Sequence, residues 1–164
     1  MGLDIISISN IEKSNDDNGF YIGKITEKNK YSHNHKYEEG WYESGVDSET
    51  FDFRAGSYSS YGQFRQILSK SILGCSAEVV WMKEKEYKGS AFFELINFSD
   101  CEGYIGPETS EKLYMDFLLN AKKFVTYVHK NIDDKESRSY FITLYDQWAK
   151  ACQNASSSGI LIFA

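Results

Sequence analysis

Apolar residues recur every three or four positions along two long stretches in the second half of the chain. From Pro107 to about Lys130 the stripe is Leu113, Phe117, Ala121, Phe124 and Val128, the spacing of one face of an α-helix. Pro107 suits a first helical position, and Glu108 and Glu111 precede Lys122, Lys123 and Lys130 in the order that the helix dipole favours. A second stripe, Phe141, Leu144, Tyr145, Trp148 and Cys152, follows Asp133 and Glu136 as capping residues and stops at Ser156-Ser157-Ser158-Gly159. The pair predicts a helical hairpin. Ile160-Leu161-Ile162-Phe163 then forms a short apolar run that requires burial in a sheet.

Earlier in the chain the period shortens. Residues 4–9, 20–25 and 51–55 are short runs rich in β-formers and read as strands. Between them, residues 27–50 show no period and carry Gly40, Gly45 and many Asn, Ser and Asp residues, which predicts an irregular excursion. Loops of that length in small domains are often functional or disordered. Ser60-Tyr61-Gly62-Gln63 forms a capping box before Phe64, Ile67, Leu68, Ser71 and Ile72, so a helix is expected from there to about Gly74. Val79-Val80-Trp81-Met82 fits strand or helix, residues 83–89 a charged turn, and residues 91–98 a short helix. The expected architecture is one α+β domain over residues 1–164. A small mixed sheet of short strands packs against the helical hairpin and one or two further helices.

Composition narrows the function classes. With 3 Trp, 12 Tyr and 11 Phe, the core leans on aromatic rings, each burying on the order of 150–250 Å². The net charge of −6 withholds the phosphate neutralisation that drives nucleic-acid affinity. The N-terminal residues lack the basic start of a signal peptide, and no apolar run reaches the roughly 18 residues of a membrane span. Cys75, Cys101 and Cys152 form neither a disulfide framework nor a metal motif, which fits reduced thiols in the cytoplasm.

Candidate chemistry is sparse. His33-Asn34-His35 would need a third ligand such as Glu38 to hold a metal, and the pair reads more simply as solvated histidines. Residues 98–105 follow the middle of a calcium loop. With Gly103 in sixth place, however, Phe98 and Thr109 occupy the first and twelfth positions, where acids are needed. Cys101 sits between Asp100 and Glu102, whose charges disfavour a thiolate. Gly103-Tyr104-Ile105-Gly106 is flanked by acids where a phosphate clamp wants bases. His129 belongs to a helix C-terminus, and Arg54 and Arg65 are expected to pair with acids such as Asp52 or Asp100. No cofactor or metal is called for.

Charge distribution is more informative. Residues 1–54 hold 11 acids against 6 bases. Between Tyr37 and Asp52 lie Glu38, Glu39, Glu43, Asp47, Glu49 and Asp52 without a base, interleaved with Trp41, Tyr42 and Phe51. Glu38, Glu39, Trp41, Tyr42 and Glu43 thus form a candidate patch for a basic protein partner, with rings as anchors and carboxylates steering the approach. The alternative is a solvated loop whose aromatics pack back on the core.

Several blocks are recognisable together: Met1-Gly2-Leu3-Asp4-Ile5, Phe53-Arg54-Ala55-Gly56-Ser57-Tyr58-Ser59, Glu94-Leu95-Ile96, and Asp100-x-Glu102-Gly103-x-Ile105-Gly106-Pro107. They resemble a family of bacterial and phage-associated proteins that carries no assigned activity, over the ends and most of the chain after residue 50. The resemblance implies a shared architecture and a bacterial or phage setting. It also suggests that the turns at 54–61 and 100–107 meet in one polar cleft formed by Arg54, Ser57, Tyr58, Tyr61, Asp100 and Glu102. The leading expectation is a non-enzymatic protein-binding, accessory or immunity-like module. The second is an enzyme, most simply a hydrolase, that uses this cleft, and a third is an assembly component of a particle. None calls for nucleic acid or membrane, and the oligomeric state is left open.

Overall fold

Backbone pairing in the computed structural model, which describes residues 2–24, 30–31, 37–98 and 103–164, divides the strands between two antiparallel sheets. The strands are Leu3–Ile8 (β1), Ile11–Lys13 (β2), Phe20–Ile22 (β3), Gly40–Ser44 (β4), Thr50–Gly56 (β5), Gly103–Ile105 (β6) and Ile160–Phe163 (β7). The first sheet has the order β5-β1-β7-β6 and the second β2-β4-β3. The helices are Tyr58–Leu68 (α1), Ala77–Met82 (α2), Glu84–Tyr87 (α3), Phe93–Ile96 (α4), Pro107–Asn131 (α5) and Lys135–Ser156 (α6). A π-helical turn, Ser69–Leu73, extends α1 to Gly74 at φ 74°, where a residue without Cβ ends the helix in the left-handed region.

The side-chain alternation of the first sheet feeds two hydrophobic layers. Leu3, Ile5, Phe53, Ala55, Ile105, Leu161 and Phe163 face the helices and share one core with Tyr61, Phe64, Phe117, Phe124 and Trp148. Trp148 is fully buried, with its ring centroid 5.3 Å from Phe53, 5.7 Å from Tyr61 and from Phe163, and 6.3 Å from Phe64. On the opposite face Ile8 and Ile160 meet Ile11, Ile22 and Tyr42 of the second sheet, flanked by Ile6, Tyr104 and Ile162. The molecule is therefore layered: helices, four strands, three strands.

A half-buried charged cluster anchors the short helices to α5. Lys112 Nζ lies 2.6 Å from Glu94 Oε2, 2.8 Å from Asp116 Oδ2 and 2.6 Å from the Ser90 carbonyl. Asp116 also accepts the Phe92 backbone N–H at 2.9 Å, which helps hold Phe92 at φ 60° while its ring packs edge-on against Phe117.

The α+β architecture and the α5–α6 hairpin agree with the periodicity, and several details differ. β4 lies inside the stretch expected to be irregular, and β2 was not anticipated. The strand expected at 20–25 pairs over Phe20–Ile22, while Ile25 falls outside the described residues. Helix α1 begins one turn before the capping box: Ser57 is its cap and accepts the Ser60 N–H at 3.1 Å. Asp134, rather than Asp133, caps α6 by accepting the Ser137 N–H at 2.7 Å. Hydrogen bonds from the Ser137 hydroxyl and then its backbone N–H hold the Asp134 carboxyl below its ordinary range. Residues 77–82 resolve as helix, and the charged turn after them contains the short α3.

Candidate protein-binding face

The β2-β4-β3 sheet has one face on the core and one in solvent, and β4 carries the candidate patch through its middle. Tyr42 points inward. It is 5% exposed, its hydroxyl donates to the Glu38 carbonyl at 3.0 Å, and its ring meets Tyr37 edge-on at 5.3 Å. Trp41 and Glu43, its neighbours, therefore point outward. Gly19 lets the β2–β3 loop close over this strand, since a Cβ there would overlap the Tyr42 carbonyl oxygen.

Strand register supplies the rest of the outer face. Tyr21 is directly opposite Trp41, and the two rings form an edge-to-face pair at 5.4 Å and 67°. Tyr21 remains 50% exposed and Trp41 38%, so this pair is presented to solvent. Tyr21 donates its hydroxyl to Glu39 Oε1 at 2.7 Å, and that bond to a carboxylate raises the phenol's pKa. Glu12 lies directly opposite Glu43. Directly opposed like charges destabilise a strand pair, and among the described residues neither carboxylate has an ion-pair partner.

The five residues singled out in the sequence thus separate. Trp41 and Glu43 form the outer face together with Tyr21 and Glu12, Tyr42 belongs to the core, and Glu38 and Glu39 sit beside Lys13 and Lys24 at 3.3 Å and 3.8 Å. Sequence reasoning missed Glu12 and Tyr21 because their place depends on which strand they pair with.

The cleft residues also separate. Arg54 Nη1 lies 3.0 Å from both carboxylate oxygens of Asp4, its cross-strand neighbour, on the outer face of the first sheet. This corrects the expected partner, Asp52 or Asp100, and Gly2 leaves room for the guanidinium. Ser57 caps α1, and Tyr58 is partly buried against the helix-side core. Tyr61 is fully buried in that core and donates to the Leu95 carbonyl at 3.1 Å. Arg54 and Tyr61 consequently lie on opposite faces of the sheet. Asp100 and Glu102 lie outside the described residues, as do His33, His35 and Cys101. Arg65 enters the core, donating to the Phe98 carbonyl at 3.0 Å with its guanidinium 4.5 Å from the Tyr61 ring centroid.

Elsewhere, a groove of about 660 Å³ between the π-helical turn and α5 is lined by Ser71, Leu119, Lys122, Lys123, Tyr127 and Lys130. Leu119 is 76% exposed. Cys75 and Cys152 are free thiols, and burial pushes the Cys152 thiol far up. Among the described residues no three His, Cys, Asp or Glu side chains converge as metal ligands, and no helix is long and apolar enough to cross a membrane. Comparison of the chain with protein-family models, with curated proteins and with solved structures returns no match.

Proposed function

We propose that this chain is a non-enzymatic protein-binding module, accessory or immunity-like in role, whose outer β2-β4-β3 face receives a basic segment of a partner protein. One observation carries the reading: an exposed Trp41–Tyr21 ring pair stands beside the directly opposed carboxylates of Glu12 and Glu43. Opposed like charges weaken the sheet that bears them, and a partner Lys or Arg between them would turn that repulsion into two attractions. Trp and Tyr supply large contact area at little entropic cost, as residues at the centre of interfaces do. The bacterial or phage setting implied by the sequence resemblance is where such a partner is to be sought.

The test is affinity capture from a bacterial host lysate, followed by calorimetry with the purified captured protein. A basic partner is expected, bound less tightly as ionic strength rises. Trp41→Ala and the double change Glu12→Lys/Glu43→Lys should abolish capture, while Leu119→Ser in the α5 groove should leave it intact. Glu38→Lys and Glu39→Lys should weaken it less, because those carboxylates already have lysine neighbours. Capture that survives Trp41→Ala and is lost with Leu119→Ser would assign binding to the groove and reject this reading.

A further inference from the structure

In the sheet order β5-β1-β7-β6, β5 is an edge. Asp4 exchanges both of its backbone hydrogen bonds with Ala164, at 2.9 Å each, on the β7 side of β1, whereas the Ser9 N–H donates to the Glu49 carbonyl at 2.9 Å on the β5 side. Antiparallel strands alternate in this way, so Ile5 and Ser7 bond Phe53 and Phe51, their partners in register. The N–H and C=O groups of Thr50, Asp52 and Arg54 therefore point out of the open edge. Among the described residues β5 pairs with β1 alone, and all three side chains are exposed.

Exposed edges are commonly protected by charged side chains. Here the two charges are opposite and two residues apart, Asp52 and Arg54, which makes the edge complementary to itself. A two-fold axis at Phe53 would set Asp52 opposite Arg54 of the partner subunit, and Arg54 opposite Asp52 of the partner subunit. Both are positions where antiparallel neighbours exchange two backbone bonds, so four would form. Moving the axis to Asp52 or to Arg54 would oppose like charges instead. Asp52 has no ion-pair partner among the described residues, and Arg54, bound to Asp4 through Nη1, retains further donors. A shallow depression of about 410 Å³ lined by Asp4, Ile6, Thr50, Asp52 and Arg54 opens beside the edge.

We infer that the β5 edge pairs with β5 of a second copy about a two-fold axis at Phe53, joining the four-stranded sheets of two chains into one sheet of eight. Such an axis, perpendicular to the sheet, keeps the helices of both copies on one side and both β2-β4-β3 sheets on the other. One strand pair is a small interface, so the association is weak and concentration-dependent.

Sedimentation equilibrium over a concentration series, paired with residue-resolved amide exchange, tests this. The wild-type chain should dimerise, with the Asp52 and Arg54 amides gaining protection as concentration rises while that of Phe53, already bonded within the chain, does not change. Asp52→Arg, checked for folding by circular dichroism, should weaken the dimer at least about tenfold, and Trp41→Ala should leave it unchanged. A wild-type chain that stays monomeric throughout would overturn the inference. So would a folded Asp52→Arg variant that dimerises like the wild type, or protection that appears on Phe53 instead of its neighbours. Should Asp52→Arg fail to fold, the alternation of protection in the wild-type chain decides alone.

Discussion

On the helix side of the four-stranded sheet, the core is closed by helices of 25 and 22 residues, and Trp148 touches four other rings there. On the opposite side the cover is three strands of 3, 3 and 5 residues, with five buried residues between the sheets. The first layer spends its aromatics inward. The second presents two aromatics and two opposed carboxylates to solvent, and the carboxylate pair works against stability. The contrast fits the proposal that the two layers do different work, with the helix layer holding the fold and the small sheet offering its outer face to a partner.

Substitutions can break this contrast or sharpen it. Trp148→Ala should be the most damaging, costing about 3–5 kcal/mol and, in a domain of this size, preventing stable folding as followed by chemical denaturation. Ile22→Ala in the small core should cost about 2 kcal/mol, the low end for such truncations, because the short strands around it can close in. If Ile22→Ala matched Trp148→Ala, the two layers would be one cooperative core and the contrast would fail. Asp116→Ala should cost about 1–3 kcal/mol by stranding the Phe92 N–H, read as a lower denaturation midpoint.

Smaller effects test the outer face. Glu43→Lys should raise stability by about 0.2–1 kcal/mol, since it replaces a like-charge pair with Glu12 by an opposite one, and thermal unfolding in low salt measures it. Trp41→Ala should change stability by no more than about 0.5 kcal/mol while removing partner capture. Titration gives an independent mark of the small core. Burial there pushes the Tyr37 phenol up to about 12, above the ordinary value near 10. A raised pKa means that stability is fully present below pH 10 and is lost as pH rises towards 12. The Tyr37 hydroxyl has no hydrogen-bond partner among the described residues. Tyr37→Phe should therefore be neutral or slightly stabilising at pH 7 and should reduce the alkaline loss followed by circular dichroism.

The same contrast explains what the sequence made legible. α5 and α6 are long enough for Leu113, Phe117, Phe124 and Val128, or Phe141, Leu144, Trp148 and Cys152, to repeat through several turns, and all are buried. β4 has one buried residue, Tyr42, among exposed ones, and strands of three residues such as β2 hold too few positions to display alternation. Helix α1 began early because Tyr58 and Tyr61 already belong to its buried side, with Ser57 as its cap. Local density of carboxylates and rings singled out Trp41 and Glu43, which lie on the exposed face of β4. Their partners Tyr21 and Glu12 come from strands distant in sequence, and only the pairing register places them. The resemblance suggested that the turns at 54–61 and 100–107 meet in one cleft, but strand alternation and the α1 turn direct Arg54 and Tyr61 to opposite faces of the sheet.

The most direct test is a calorimetric titration of the purified captured partner with wild type and with Trp41→Ala, at matched thermal stability. A dissociation constant weakened by at least about 30-fold, the loss of an anchor residue worth about 2 kcal/mol, together with an unchanged unfolding temperature, is the predicted result. An unchanged dissociation constant, or a loss of affinity that tracks a fall in unfolding temperature, would show that the outer face of the small sheet is not a recognition surface.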